Sequence, residues 1–121
     1  MIRLPWPPSV NHYWGHRGSR RFLSSKVQTW RREATVLVRA ARKIIFSGPV
    51  AVALYLYPPD RRRRDLDNVV KAVLDVLVLG GLLKDDSQVV ELRVVKNSPQ
   101  KPGQVLVEVW EVSDDRSSSS L

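Results

Sequence analysis

The 121-residue chain contains no cysteine. Disulfides, zinc–thiolate sites and thiol chemistry are excluded together. Histidine is nearly as scarce, with only His12 and His16, so a zinc cage built of imidazoles is disfavoured. Any metal is therefore expected on oxygen ligands, which suit Mg²⁺ or Mn²⁺. Long apolar runs are missing as well. The longest, Val76 to Leu83, is interrupted by Gly80-Gly81 and is too short to span a bilayer. The opening Met1-Ile2-Arg3-Leu4-Pro5-Trp6-Pro7-Pro8 lacks the apolar run of a secretory signal, and no segment reads as a basic amphipathic anchor. The expectation is a soluble, cytoplasmic protein with no membrane association and no organic cofactor.

Acidic residues are the other deficit. Lys and Arg number 20 against 12 Asp and Glu, a net charge of +8, with a pI near 10.4. That excess favours a polyanionic partner, of which nucleic acid is the commonest. Hydrophobic residues make up 43% of the chain, enough for an ordinary core in one domain. A domain of this size buries only about two-thirds of its unfolded surface, so added stability from a partner subunit would be unsurprising.

Prolines and glycines divide the chain. Residues 1–6 form a candidate strand, ended by Pro5, Pro7 and Pro8. Ser9 to Arg21 reads as a loop or loose hairpin. Ser24 and Ser25 are candidate N-caps for a helix from about Lys26 to Arg42, on which Val27, Trp30, Ala34, Val38 and Ala41 recur at helical spacing. Val50 to Tyr57 has the alternation and residue types of a strand. From Leu66, the positions Leu66, Val69, Val70, Val73, Leu74 and Leu77 trace a helix face that Gly80-Gly81 closes. Val89 to Lys96 and Val105 to Val112 are two further strands. The order β-α-β-α-β-β predicts one small α+β domain over 1–112, with two helices packed on a mixed sheet. Residues 113–121, with Ser117-Ser118-Ser119-Ser120, read as a disordered tail.

The chemistry concentrates around Asp65-Leu66-Asp67-Asn68. Acids at a helix start cap free amides and answer the dipole, and for an isolated Asp-x-Asp that role alone suffices. Three features add to it here. Asp67, Lys71 and Asp75 fall at i, i+4 and i+8, on one face turned largely away from the apolar stripe. Asp85-Asp86 lies beyond the Gly-Gly turn, where a return of the chain is expected to bring it near a neighbouring element's end. The run Arg61-Arg62-Arg63-Arg64 immediately precedes the cluster. Such a run is often a solvated face or a localisation signal, yet arginine forks also hold phosphate bidentately. Carboxylates beside phosphate-attracting arginines suit metal-assisted phosphodiester cleavage, with Lys71 placed to offset transition-state charge. In the basic loop, Asn11, Tyr13, Trp14 and Arg17 are candidate DNA contacts, Trp14 weighing equally as a stacking residue and as an incidental aromatic. Trp6 and Trp30 read as core.

The stretch Pro59-Asp60-Arg61-Arg62-Arg63-Arg64-Asp65-Leu66-Asp67-Asn68 resembles the signature of the RusA family of Holliday junction resolvases. The likeness continues through Lys71-Ala72, Asp75, Gly81, Asp85-Asp86, Gln88-Val89-Val90 and Arg93-Val94-Val95-Lys96. Near the amino terminus, Leu4-Pro5-Trp6-Pro7-Pro8-Ser9, Asn11 and Tyr13 also fit. The resemblance implies a homodimeric, Mg²⁺-dependent endonuclease that binds four-way junctions by shape and nicks two opposed strands. It implies metal-binding and catalytic roles for Asp65, Asp67 and Asp86, a catalytic Lys71, and supporting places for Asn68, Asp75 and Asp85. The chain departs from the family in carrying Val10-Asn11 where an Asn pair is usual. Besides a broader branched-DNA nuclease, the residues leave open a non-catalytic basic DNA- or RNA-binding protein whose aspartates are structural.

Overall fold

The computed structural model describes residues 1–8, 14–17, 20–23 and 25–113. Strands β1 (Ile2–Pro5), β2 (Trp14–Arg17) and β3 (Arg20–Leu23) precede helix α1 (Ser25–Ala41). Strand β4 (Val50–Tyr57), helix α2 (Leu66–Leu79), a single 3₁₀ turn (Asp86–Gln88), β5 (Val89–Lys96) and β6 (Gln104–Glu111) follow. Strands β2 and β3 pair as a hairpin of their own, within the segment expected to be a loop or loose hairpin. The main sheet has the order β1-β6-β4-β5, and within it only β4 and β5 run parallel. This is the α+β architecture that the pattern of elements predicts.

Strand β4 is flanked by neighbours on both sides. Val50, Val52, Leu54 and Leu56 are buried beneath the helices, while Ala51 and Ala53 are buried on the opposite face. Alternation on β4 is therefore one of size, large side chains towards the helices and small ones away.

Helix α1 presents Val27, Trp30, Ala34 and Val38 to the core as expected. Its predicted edges are corrected. Ser25 is the first helical residue and not a cap, Ser24 lies outside the described residues, and Ala41, in the last turn, is exposed.

Helix α2 is capped by Asp65, whose side chain accepts the Asp67 amide, and ends at Gly80. Its buried stripe, Val69, Ala72, Val73, Val76 and Leu77, is rotated from the expected one, with Leu66, Val70 and Leu74 only half-buried. The rotation follows from where α1 packs. A Cβ on Gly80 would stand 2.6 Å from Val38 Cγ1, and Arg39 Nη2 reaches the Leu79 carbonyl at 3.5 Å. Helix α1 thus covers the Ala72–Leu79 flank of α2 and leaves the other flank uncovered by it.

Parallel strands need a crossover, and α2 provides it. The helix runs back against β4 and β5, so its amino terminus lies at their carboxyl ends and its carboxyl terminus at their amino ends. At the first of these ends, Gly103 (φ 93°) approaches Pro59 Cδ and Trp6 Cβ so closely that a Cβ would lie 2.9 Å from each. The Gln100 amide donates to the Pro58 carbonyl at 2.7 Å. The β5–β6 connector is thereby held against the segment that leads into α2. No described helix is long and apolar enough to cross a membrane.

Candidate active site

The segment from Asp60 to Asp65 is organised by its first residue. Asp60 Oδ1 accepts the Arg62 amide at 2.9 Å and Arg64 Nη2 at 2.6 Å. Arg64 Nη1 donates to the carbonyls of Asp60 and Arg62 at 3.0 and 3.1 Å, and its guanidinium lies 5.7 Å from the Trp6 ring centroid. The Arg62 amide, seconded by Arg64, holds the Asp60 carboxyl below its ordinary range. Arg64 is therefore engaged in shaping the loop. The phosphate-holding role expected of all four arginines narrows to Arg61, Arg62 and Arg63, which are exposed. Of these three, Arg62 also lies 3.9 Å from Asp60.

At the start of α2, Asp65 Oδ1 takes the Asp67 amide at 3.2 Å, leaving its other oxygen outside that bond. Asp65, Asp67 and Lys71 are exposed, and Asn68 and Asp75 half-buried. Asp67, Lys71 and Asp75 share the solvent-side face that their spacing predicts. Free amides and the positive end of the helix dipole add to the pull on an anion there.

The second acidic corner is equally built. Asp85 caps the 3₁₀ turn, accepting the Ser87 amide at 3.0 Å. That bond first, and one from the Asp86 carboxyl second, lower the acidity range of Asp85. Gln88 clamps the corner. Its Nε2 donates to the carbonyls of Phe46 and Gly48, each at 2.9 Å, and its Oε1 accepts the amides of Lys84 and Asp85 at 2.7 and 2.9 Å.

The expected approach of Asp86 to the first corner does not occur within one chain. Helix α2 separates them with 14 residues, about 21 Å of rise. The crossover delivers the chain to the amino ends of β4 and β5 before Asp85 is reached, so the two corners lie at opposite ends of the sheet. Among the described residues, no three acidic or imidazole side chains are grouped to hold an ion. Asn11 and Tyr13 lie outside the described residues, and Trp14 and Arg17 are placed only as members of β2.

Sequence reading missed the work of Asp60 and Gln88. Both carried a signal: Asp60 and Arg64 stand at i, i+4, and Asp85-Ser87-Gln88 is contained in a capping-box pattern, acid at the cap and Gln three residues on.

Comparison with known proteins adds a family. Residues 5–110 match the sequence model of the family described as Endodeoxyribonuclease RusA. The chain is 40% identical over 115 residues to a crossover junction endodeoxyribonuclease RusA of Shigella sonnei, covering 94% of this chain and 96% of that protein. Figures for the Escherichia coli protein of the same name are the same. The crossover junction endodeoxyribonuclease of Enterobacteria phage 82 is 38% identical, with the same coverage.

Proposed function

The chain belongs to the RusA family of endodeoxyribonucleases, and on that premise we propose that it resolves four-way DNA junctions by paired, symmetric nicks, as a Mg²⁺-dependent homodimer. One observation carries this reading. Asp65 and Asp67 stand exposed at the amino terminus of α2, directly after the exposed Arg61, Arg62 and Arg63. They lie at the carboxyl ends of the parallel strands, where open sheets with crossover helices take their ligands.

The donors fit the metal. Mg²⁺ is held by one or two carboxylates together with substrate phosphate oxygens, and Asp67 with the uncapping oxygen of Asp65 supplies that pair. Mn²⁺ suits the same oxygens. Bound there, the ion would act as a Lewis acid on the scissile phosphate. The arginines hold the flanking backbone, and the Lys71 ammonium, one turn beyond Asp67, offsets charge that grows on the phosphate. Asn68, Asp75 and Asp85 support the acids. Asp86, at the far end of α2, reaches this centre only from a second copy, which gives the homodimer a chemical role besides delivering two symmetric cuts. Asn11, Tyr13, Trp14 and Arg17 are proposed contacts to the junction. The enzyme domain spans 1–112, residues 113–121 are an appended tail, and the setting is the cytoplasm of a bacterial host.

The deciding experiment is cleavage of a labelled mobile four-way junction with Mg²⁺, wild type beside Asp67→Asn. Symmetric nicks by wild type and binding without cutting by the variant are expected. A wild type that binds but never cuts, with either metal, would leave the aspartates structural and overturn the reading.

A further inference from the structure

We infer that the edge formed by α2 and β5 is the surface on which two copies of this chain meet, about a two-fold axis passing beside Leu74 and Leu92. The inference rests on the homodimer proposed above and names where it forms.

Helix α1 covers one flank of α2 through Val38, Arg39 and the Gly80 contact. At about 100° per residue, Val70, Leu74 and Val78 fall on the flank away from α1, and all three are only half-buried. Beneath that flank runs β5, the outer strand of the sheet, with Leu92 44% exposed. A long edge strand bearing exposed apolar side chains is a template for another strand. The helix and strand layers thus end in apolar surface on the same side of the molecule.

Both layers have their centres at one level. Starting from the end where β4 hands over to α2, Leu74 lies eight residues along the helix from Leu66, about 12 Å. Leu92 lies four residues back along β5 from Lys96, about 13 Å. A single two-fold axis can therefore pass by both. In the helical layer it sets Leu74 against its own copy and Val70 against Val78 of the second copy.

In the strand layer, the charges select the register. From Glu91 onward β5 is regular; the shift in its pairing with β4 lies before it, between Val89 and Glu91. Antiparallel pairing centred on Leu92 opposes Glu91 to Arg93 of the second copy, and Arg93 to Glu91, with Leu92 on Leu92. A centre at Glu91 or at Arg93 would instead set like charges face to face, which is destabilising. The same arrangement carries the amino end of one β5, with Asp86 just before it, to the carboxyl end of the other. That end is the one bearing Asp65 and Asp67.

The absence of native cysteine makes the test direct. Wild type should sediment as a dimer. Leu92→Cys should give a covalent dimer under mild oxidation or with a short bis-maleimide, at concentrations where Val36→Cys, exposed on α1, stays monomeric on denaturing gels. Glu91→Arg and Arg93→Glu should each weaken the dimer at least tenfold, and the double exchange should restore it, which separates the register from a folding defect. A monomeric wild type overturns the inference. So does a dimer in which Leu92→Cys links no faster than Val36→Cys and the charge exchanges have no effect. A dimer with this seam that cuts no junction overturns the nuclease reading and upholds the surface, whereas a junction-cutting dimer built elsewhere does the reverse.

Discussion

Arg64 Nη2 stands 2.6 Å from Asp60 Oδ1, and this pair, more than any other, gives the segment before α2 its shape. One arginine of four is spent on holding the loop so that the other three can face solvent beside Asp65 and Asp67.

That pairing has a pH signature. The folded pKa of Asp60 is lowered, first by the Arg62 amide and then by Arg64. A group lowered in the folded state adds stability above its unfolded value, near 3.8, and loses it as pH falls through the folded value. Asp60→Asn is therefore expected to melt at a lower temperature than wild type at pH 7, with the gap closing at pH 3. The gap should be small, because the pair is partly exposed. Thermal melts at the two pH values check this, and a gap that stays constant would refute it.

Asp65 carries two roles that substitution can part. Asparagine caps a helix about as well as aspartate, so Asp65→Asn should stay within about 0.5 kcal/mol of wild-type stability. It should nevertheless lose cleavage while junction affinity holds or rises, since a negative charge facing phosphate has gone. Asp65→Ala should lose cleavage and, in addition, about 1 kcal/mol of stability. Urea unfolding beside cleavage assays would show it; an active Asp65→Asn would count against a metal at this position.

Gln88 should matter more than its place on the surface suggests. Gln88→Ala removes donors to the Phe46 and Gly48 carbonyls and the acceptor for the Lys84 and Asp85 amides. At about 1 kcal/mol for each net bond, with water replacing some, a loss of about 2–3 kcal/mol is expected in urea unfolding. Gln88→Glu keeps the acceptor side and should fall between the two. A neutral Gln88→Ala would show that the clamp does not hold the corner.

Salt should sort the arginines. Arg61→Ala and Arg63→Ala are each expected to reduce the slope of log affinity against log salt by about 1, as one phosphate contact is lost. Arg64→Ala should leave the slope near its wild-type value and lower the melting temperature, because its guanidinium is bound within the chain. Junction binding at three salt concentrations distinguishes them, and equal slopes for all three variants would contradict the division.

Much of the fold was legible in the order of residues. Val50 to Tyr57 carries strand residue types between a Gly-Pro break and a Pro-Pro break, and it forms β4 with those bounds. Asp65, preceding an i, i+3, i+4 apolar series, caps α2 as expected. What periodicity could not give was the rotation of the buried stripe on α2. Val70 and Leu74 are as apolar as Val73 and Val76, and only the position of α1 decides which pair is covered.

Composition and local pattern by themselves determined the class of chemistry open to this chain. Without cysteine, nearly without histidine, with net charge +8 and an Asp-x-Asp after four arginines, it is left with oxygen ligands and a phosphate-bearing partner. They determined the helices and strands too, since period and capping act within a few residues. Tertiary structure decided the rest. The crossover that joins two parallel strands placed Asp86 about one helix length from Asp65 and Asp67. The strand order put β5 at an edge, and a single close contact removed Arg64 from the solvent-facing row. Each of these depends on which distant segments pack together, and no local spacing records that.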